Sequence, residues 1–283
     1  MKSFCFKTNN TQIIDYLLNR IDEIDFENLI YSKNKFKVYN NIIIHYTGNN
    51  NTEFYKFLSN LLEEVVIEFY EYKILKQLLA YNYFYFDEYE RTKILENCMQ
   101  IIEPEEYTKK ISQKKSVKDY IKENKSMILD GFIYFRLQDY LKYLDEVVDY
   151  AVNQFIIEKE YKEFIGLLKV YVETKTPEHQ LLHLIYMNGE SILLDEKRNI
   201  VSVCENIYNA KYLSDISFSS NDFALNTLLT LLPRRIEIHL IDNEDEFINT
   251  IKLIFEGRVS ICKDCEICKT YKLLNDTKTI RNK

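Results

Sequence analysis

The sequence predicts an α+β protein. It has an N-terminal α/β module, a central layer of amphipathic helices, and a C-terminal mixed α/β unit that ends in a cysteine cluster. Three observations carry this reading. Leu137, Leu141, Leu144, Val148, Ala151 and Phe155 step by three and four, the spacing of one helix face. Asn188-Gly189 separates two β-prone runs at 181–187 and 191–194, a strong hairpin signal. Ile236, Ile238 and Leu240 alternate ahead of a helical stretch and a further short strand, which reads as a βαβ unit with parallel strands.

From the N-terminus, residues 3–7 alternate weakly and predict a short strand. Ile14, Leu17, Leu18, Ile21 and Ile24 give residues 11–24 a helical stripe, and residues 8–11 offer N-caps. Phe36 and Val38 alternate with Lys35 and Lys37, and residues 42–46 are a β-branched run. Tyr39-Asn40-Asn41 between them predicts a hairpin turn. A long helix is expected over 52–80, with Leu58, Leu61, Val65, Phe69, Tyr72 and Leu79 on one face. The aromatic run YNYFYF at 81–86 reads as core or a cluster between elements and not as a ligand platform, because large rings dominate burial. Residues 87–102 predict another helix, closed by Pro104.

Residues 105–126 differ. Lys109, Lys110, Lys114, Lys115, Lys118, Lys122 and Lys125 face only Asp119 and Glu123 from position 109 onward. The run reads as a solvated connector or helix face. A nucleic-acid interface is the alternative, but the segment has no Arg, and the lysine run holds one ring, Tyr120, for stacking. Beyond the stripe at 137–155, a second one, Ile157, Tyr161, Phe164, Leu168 and Tyr171, is shifted in phase. That predicts a bend near Glu158-Lys159, or two consecutive helices. Further on, Ser219 and Ser220 can cap a helix that Pro233 stops. A helix over 245–256 turns Phe247, Ile251 and Ile254 inward and ends on Gly257, a C′ glycine. A strand at 258–261 then runs into the cysteines.

Composition bounds the function. The chain has 283 residues, 46% hydrophobic and 29% charged, which excludes a disordered chain. The net charge of −7 argues against wholesale nucleic-acid binding. No stretch is long and apolar enough to span a bilayer, and the N-terminus MKSFCFKTNNTQ has no apolar signal region. Six cysteines in this length do not make a disulfide scaffold, so a reducing cytosol is the expected compartment. The abundance of Tyr, Lys and Asn beside 5 Gly and 3 Pro matches an A/T-rich coding bias, so it says little about function.

Chemistry concentrates in Cys262, Cys265 and Cys268. Three thiols at two-residue gaps can converge on one soft metal ion. A ferredoxin run would place a further Cys at 272, where this chain has Lys, so that motif is broken. A closed zinc site needs a fourth ligand. Cys204 and His239 are the candidates, His183 less so, and His239 lies on the strand expected beside the one that ends at Cys262. Lys263, Lys269 and Lys272 would favour thiolates. A redox or Fe–S centre, or three thiols without a site, are the other readings. Cys5 and Cys98 read as buried small apolar residues. His179 and His183 read as an ordinary histidine pair, and the acids at 130–163 as a solvated face. No GxxxxGK[ST], GxGxxG or GxSxG is present, which argues against the common nucleotide loops and a nucleophile-elbow hydrolase. The segment after Gly257 has 7 basic and 3 acidic residues and could meet an acidic partner.

Residues 131–173, GFIYFRLQDYLKYLDEVVDYAVNQFIIEKEYKEFIGLLKVYVE, resemble the central signature of the YtxC-like family of endospore-forming Firmicutes. LLPRRIEIHL at 231–240 and EGRVSICKDCEIC at 256–268 are similar to its C-terminal portion. The resemblance covers about residues 128–268. It implies a sporulation-associated cytosolic protein that acts through contacts with another protein, and it implies no reaction and no catalytic residues. The expected organisation is an N-terminal module at 1–102, a Lys-rich connector at 103–127, the family-like part at 128–268 and a basic tail at 269–283. The alternatives are a redox or metal-dependent enzyme built on the cysteines, and nucleic-acid binding through the connector and tail.

Overall fold

The computed structural model describes residues 1–24, 26–102, 115–177, 179–201 and 219–281. Its contacts divide the chain into two compact units, Met1–Ile157 and Glu158–Lys283. Part of the expected connector, residues 103–114, lies outside the described residues.

The first unit is built on a sheet ordered β2-β3-β1-β4. β1 (Lys2–Thr8) pairs antiparallel with β3 (Asn40–Tyr46) and parallel with β4 (Ser126–Ile128), and β2 (Leu29–Lys35) lies outside β3. The β2–β3 hairpin corrects the sequence reading. Lys35 pairs with Asn40, and the Phe36 amide donates to the Tyr39 carbonyl at 2.9 Å. Residues 36–39 are therefore the turn, and Asn40 and Asn41 belong to the strand. Ile42 and Ile44 must both face the core, which fixes the register and leaves Phe36 and Val38 exposed in the loop.

Helices surround this sheet in one continuous core. α1 (Thr11–Glu23) is capped by Asn10 and buries Ile13, Ile14, Leu17 and Ile21. α2 (Asn51–Val65) passes through a π-helical turn, Val66–Glu71, into α3 (Tyr72–Asn82). The wider π-turn shifts the helical phase. The expected stripe therefore breaks: Tyr72 is exposed, and Tyr70, Ile74 and Leu75 face the core instead. The aromatic run at 81–86 forms a cluster between elements: past the end of α3 at Asn82, Tyr83, Tyr85 and Phe86 pack on one another and Phe86 meets Phe155 edge-on. Phe86 is buried, whereas Tyr81, Phe84 and Tyr85 are exposed. α4 (Glu88–Ile101) opens on a capping box of Asp87 and Glu90. α5 (Lys115–Glu123) buries Val117 and Ile121 in the same core, joined by α6 (Leu129–Arg136) and the first half of α7 (Gln138–Thr174). Cys5 and Cys98 are buried, and burial raises both thiols, Cys98 to about 11.

α7 is one helix, without the expected break, but the boundary between the units falls inside it, where the stripe changes phase. Past that point Ile165 and Val172 are buried and Leu168 packs beside them, whereas Ile157 and Phe164 are exposed. The segment is apolar on more than one side, so spacing alone selected the wrong face.

The second unit has a sheet ordered β6-β5-β7-β8. β5 (His179–Met187) and β6 (Glu190–Leu194) form the expected hairpin, with Asn188 and Gly189 both at positive φ, 55° and 75°. α8 (Ser220–Leu231), capped by Ser219, leads into β7 (Pro233–Leu240), which pairs parallel with β5. α9 (Glu246–Ile254) returns the chain so that β8 (Val259–Cys262) lies parallel beside β7, as the sequence predicts. Asp245 caps α9, and Gly257 ends the turn after it at φ 78°. α10 (Glu266–Arg281) follows the cysteines. The sheet is two-faced. Leu182, Leu184, Ile236, Ile238 and Leu240 pack against α8, α9 and the end of α7. Ile185 and Leu194 pack on the other face, with Ile267 of α10.

One buried charge in the first unit gives a test. Glu71 is 3% exposed, and the Tyr140 hydroxyl donates to it. Burial holds its carboxyl above the ordinary carboxylate range. Its folded form thus keeps the proton that the unfolded chain gives up. The stability it contributes is full below the ordinary carboxylate range and is lost as pH rises through the raised value. Glu71→Gln keeps an acceptor for Tyr140 and removes the charge. It is expected to stabilise the protein by about 1–2 kcal/mol at pH 8 and by much less at pH 4. Thermal melts at the two pH values read the difference.

Candidate metal centre

The site forms where β7 and β8 end. Along β7 alternate side chains leave on opposite faces. Ile238 enters the core, and Glu237 and His239 point to the face under α10. The parallel register sets His239 directly beside Cys262. After β8 the chain turns through residues 263–265 into α10, which brings Cys265 and Cys268 back over His239. The Cys265 carbonyl accepts from the Lys269 amide at 3.0 Å, and its sulfur accepts from the Cys268 amide at 3.5 Å. Cys265 therefore occupies the N-cap position of α10 with sulfur as the capping atom.

Four donor atoms converge. The His239 Nδ1 lies 3.2 Å from the Cys265 Sγ and 3.5 Å from the Cys268 Sγ. The Cys268 Sγ lies 3.7 Å from that of Cys265 and 3.9 Å from that of Cys262. All four atoms fall within 4.8 Å of one another. A tetrahedron with ordinary zinc–sulfur and zinc–nitrogen bonds has edges of about 3.8 Å between sulfurs and about 3.6 Å from sulfur to nitrogen. The observed distances lie close to those edges. They leave no room for a cluster of several irons and sulfides between the ligands.

Protonation supports the same set. Burial and the neighbouring His183 lower the His239 pKa, so the ring is held neutral, the form that ligates. Burial raises Cys268. Burial acts the same way on Cys265, but the Cys268 and Ile267 amides and the adjacent thiols outweigh it and bring this thiol below its ordinary value. The lysines expected to favour thiolates do not cause this shift. The Lys272 Nζ donates to the Lys263 carbonyl, and Lys269 lies 4.0 Å from Asp264.

The three predicted cysteines thus come together, and His239 joins them from the short set of fourth-ligand candidates. Cys204 lies outside the described residues. His183 sits on the far side of the His239 ring, its Nδ1 3.0 Å from the His239 Nε2 and 3.4 Å from a Glu237 oxygen. It orients the ligand, as outer partners of metal-bound histidines do. His179 is exposed on β5. Sequence reasoning missed Glu237, although its place two residues before His239 on an alternating strand assigns it to the same face.

A model of the YtxC-like family matches residues 56–260. The chain is 25% identical over 216 residues to the Uncharacterized protein YtxC of Bacillus subtilis (strain 168), covering 73% of this chain and 76% of that protein. No solved structure matches. The family match starts well before residue 128, takes in His183, Glu237 and His239, and stops short of Cys262.

The geometry makes a prediction for cobalt, a spectroscopic probe of tetrahedral thiolate sites. The protein is expected to take up one equivalent of Co²⁺ and to show sulfur-to-metal charge-transfer and tetrahedral d–d bands. Cys268→Ser or His239→Ala should weaken uptake by at least about tenfold and change the d–d bands. Titration followed by absorbance checks both.

Proposed function

The chain belongs to the YtxC-like family, and on that footing we propose that its second unit is a zinc-stabilised α/β module through which the protein works by contact with another protein. The observation that carries the metal reading is the convergence of one nitrogen and three sulfurs at tetrahedral edge lengths. Four protein ligands close the shell. They leave no position for substrate or water, which is the pattern of a structural ion and not of a catalytic one. The ion would hold α10 and the end of β8 to the sheet, where Ile267 otherwise supplies the apolar packing. Exposed apolar side chains such as Phe164, Leu167 and Val170 on α7 favour action by contact.

Protein purified without a histidine tag and without oxygen is expected to contain about one equivalent of zinc and no colour. A strong chelator should remove the zinc and lower the melting temperature of the second unit, because binding free energy at such a site is folding free energy. Iron with visible absorption, or no metal under these conditions, would overturn the zinc reading. The process assigned to the protein is sporulation, from the family resemblance. A deletion strain should produce fewer or less resistant spores, and wild-type spore yield and resistance would remove that assignment.

A further inference from the structure

The second unit has another built feature, at the opposite end of the strands that carry the metal ligands. Arg234 and Arg235 open β7, and Val259 and Ser260 open β8. With Gln180, Gly257 and Arg258 they line a pocket of about 390 Å³, within the range of small-ligand sites. We propose that this pocket binds a phosphate-bearing small molecule through Arg234, Arg235 and Arg258.

The case rests on charge and geometry. This chain uses Lys in preference to Arg, yet three arginines line one concavity. Two other arginines meet acids: Arg20 pairs with Glu23 and Glu64, and Arg198 with Glu266. Among the described residues no carboxylate pairs with Arg234, Arg235 or Arg258. Two acids in the same unit are engaged in other contacts. Glu196 accepts from the Gln180 and Leu181 amides at 3.1 and 3.2 Å, and Glu256 is bound by Lys169. Within a chain of net charge −7 the pocket thus holds three cations that no carboxylate of the described residues pairs.

Arg258 is also pre-positioned. Its guanidinium donates to the Val172 carbonyl at 2.8 Å and to the Pro233 carbonyl at 3.3 Å, which fixes a charge at the pocket wall without neutralising it. Arg234 and Arg235 are exposed and able to close on a ligand. Guanidinium forks match the oxygens of phosphate, and bidentate pairs of this kind are short and strong. The side chains of Ser260 and Gln180 can add neutral donors. The three arginines line one hollow, which suits a compact polyanion and not the backbone of a nucleic acid.

The test uses the full chain with inorganic pyrophosphate and ADP as probes, followed by calorimetry at constant ionic strength. Saturable binding of pyrophosphate is expected. It should weaken at least about tenfold in Arg235→Ala and disappear in the Arg234→Ala/Arg235→Ala double variant. Both residues are exposed, so unchanged melting temperatures should accompany the loss. Arg235→Lys, which keeps the charge but not the fork, should fall between wild type and Arg235→Ala. Tighter binding of ADP than of pyrophosphate would mean that the ligand carries a nucleoside beside its phosphates. Heat from stripping a metal off the cysteine cluster would persist in the double variant, so its loss there isolates the arginines. The proposal is overturned by no saturable binding, by binding that survives in the double variant, or by retention of an oligonucleotide that pyrophosphate cannot displace.

Discussion

The second unit depends on the alternation of β7. Ile236, Ile238 and Leu240 go to one face and fill the core under α8 and α9. Arg235, Glu237 and His239 go to the other. Strand periodicity is two, so a slip of one residue would exchange the sets. It would drive three ionisable groups into an apolar core and expose three large aliphatic ones. The flanking strands hold the strand in place: Ile238 sits opposite Leu184 on β5 and Ile261 on β8. The same register sets His239 beside Cys262 and Glu237 beside Ser260. Core, candidate metal ligands and arginine-lined pocket are therefore three results of one pairing.

The chemistry of the site follows from where those side chains land. A histidine nearly sealed from solvent, at 1% exposure, can be kept neutral cheaply and kept charged only at a high cost. With its Nε2 engaged by His183, the nitrogen that remains, Nδ1, faces the sulfurs. The cysteines are not equivalent. Cys265, half-buried at the start of α10, has amide donors and a helix terminus to stabilise its anion. Cys268, fully buried one turn later, does not gain an anion as readily. A cation arriving at the cluster would meet one thiol ready to ionise and would supply the charge that makes the others follow.

Much of this was legible in the sequence, for reasons that differ from place to place. The α9 crossover was readable because every local signal agreed: alternation, an Asp cap, a helical stripe and a glycine at the end. Asn188-Gly189 was readable because few other pairs adopt two successive positive φ angles. The cysteines were found by spacing, and His239 by the expectation that β7 and β8 are neighbours. The failures share a cause. At 66–71 a π-turn changed the helical phase, and no composition signal announces one. At 36–46 two hairpin registers were locally acceptable, and only the burial of Ile42 and Ile44 against distant helices chose between them. On α7 the apolar residues circle the helix, so tertiary packing selected the face. Arg234, Arg235 and Arg258 were visible as residues but not as a group, because 23 positions separate the pair from the third.

The candidate metal ligands also lie far apart along the chain, with His239 before the crossover and the cysteines after it. An ion held by all of them would join two points of the polypeptide across α9. Part of its effect would then fall on the unfolded chain, which would lose the freedom of an open loop. For a covalent link across a loop of this length the loss is about 3 kcal/mol. The centre would act as a disulfide does, as a staple across a long loop, but it would form by coordination, need no oxidant, and open whenever the ion is withdrawn.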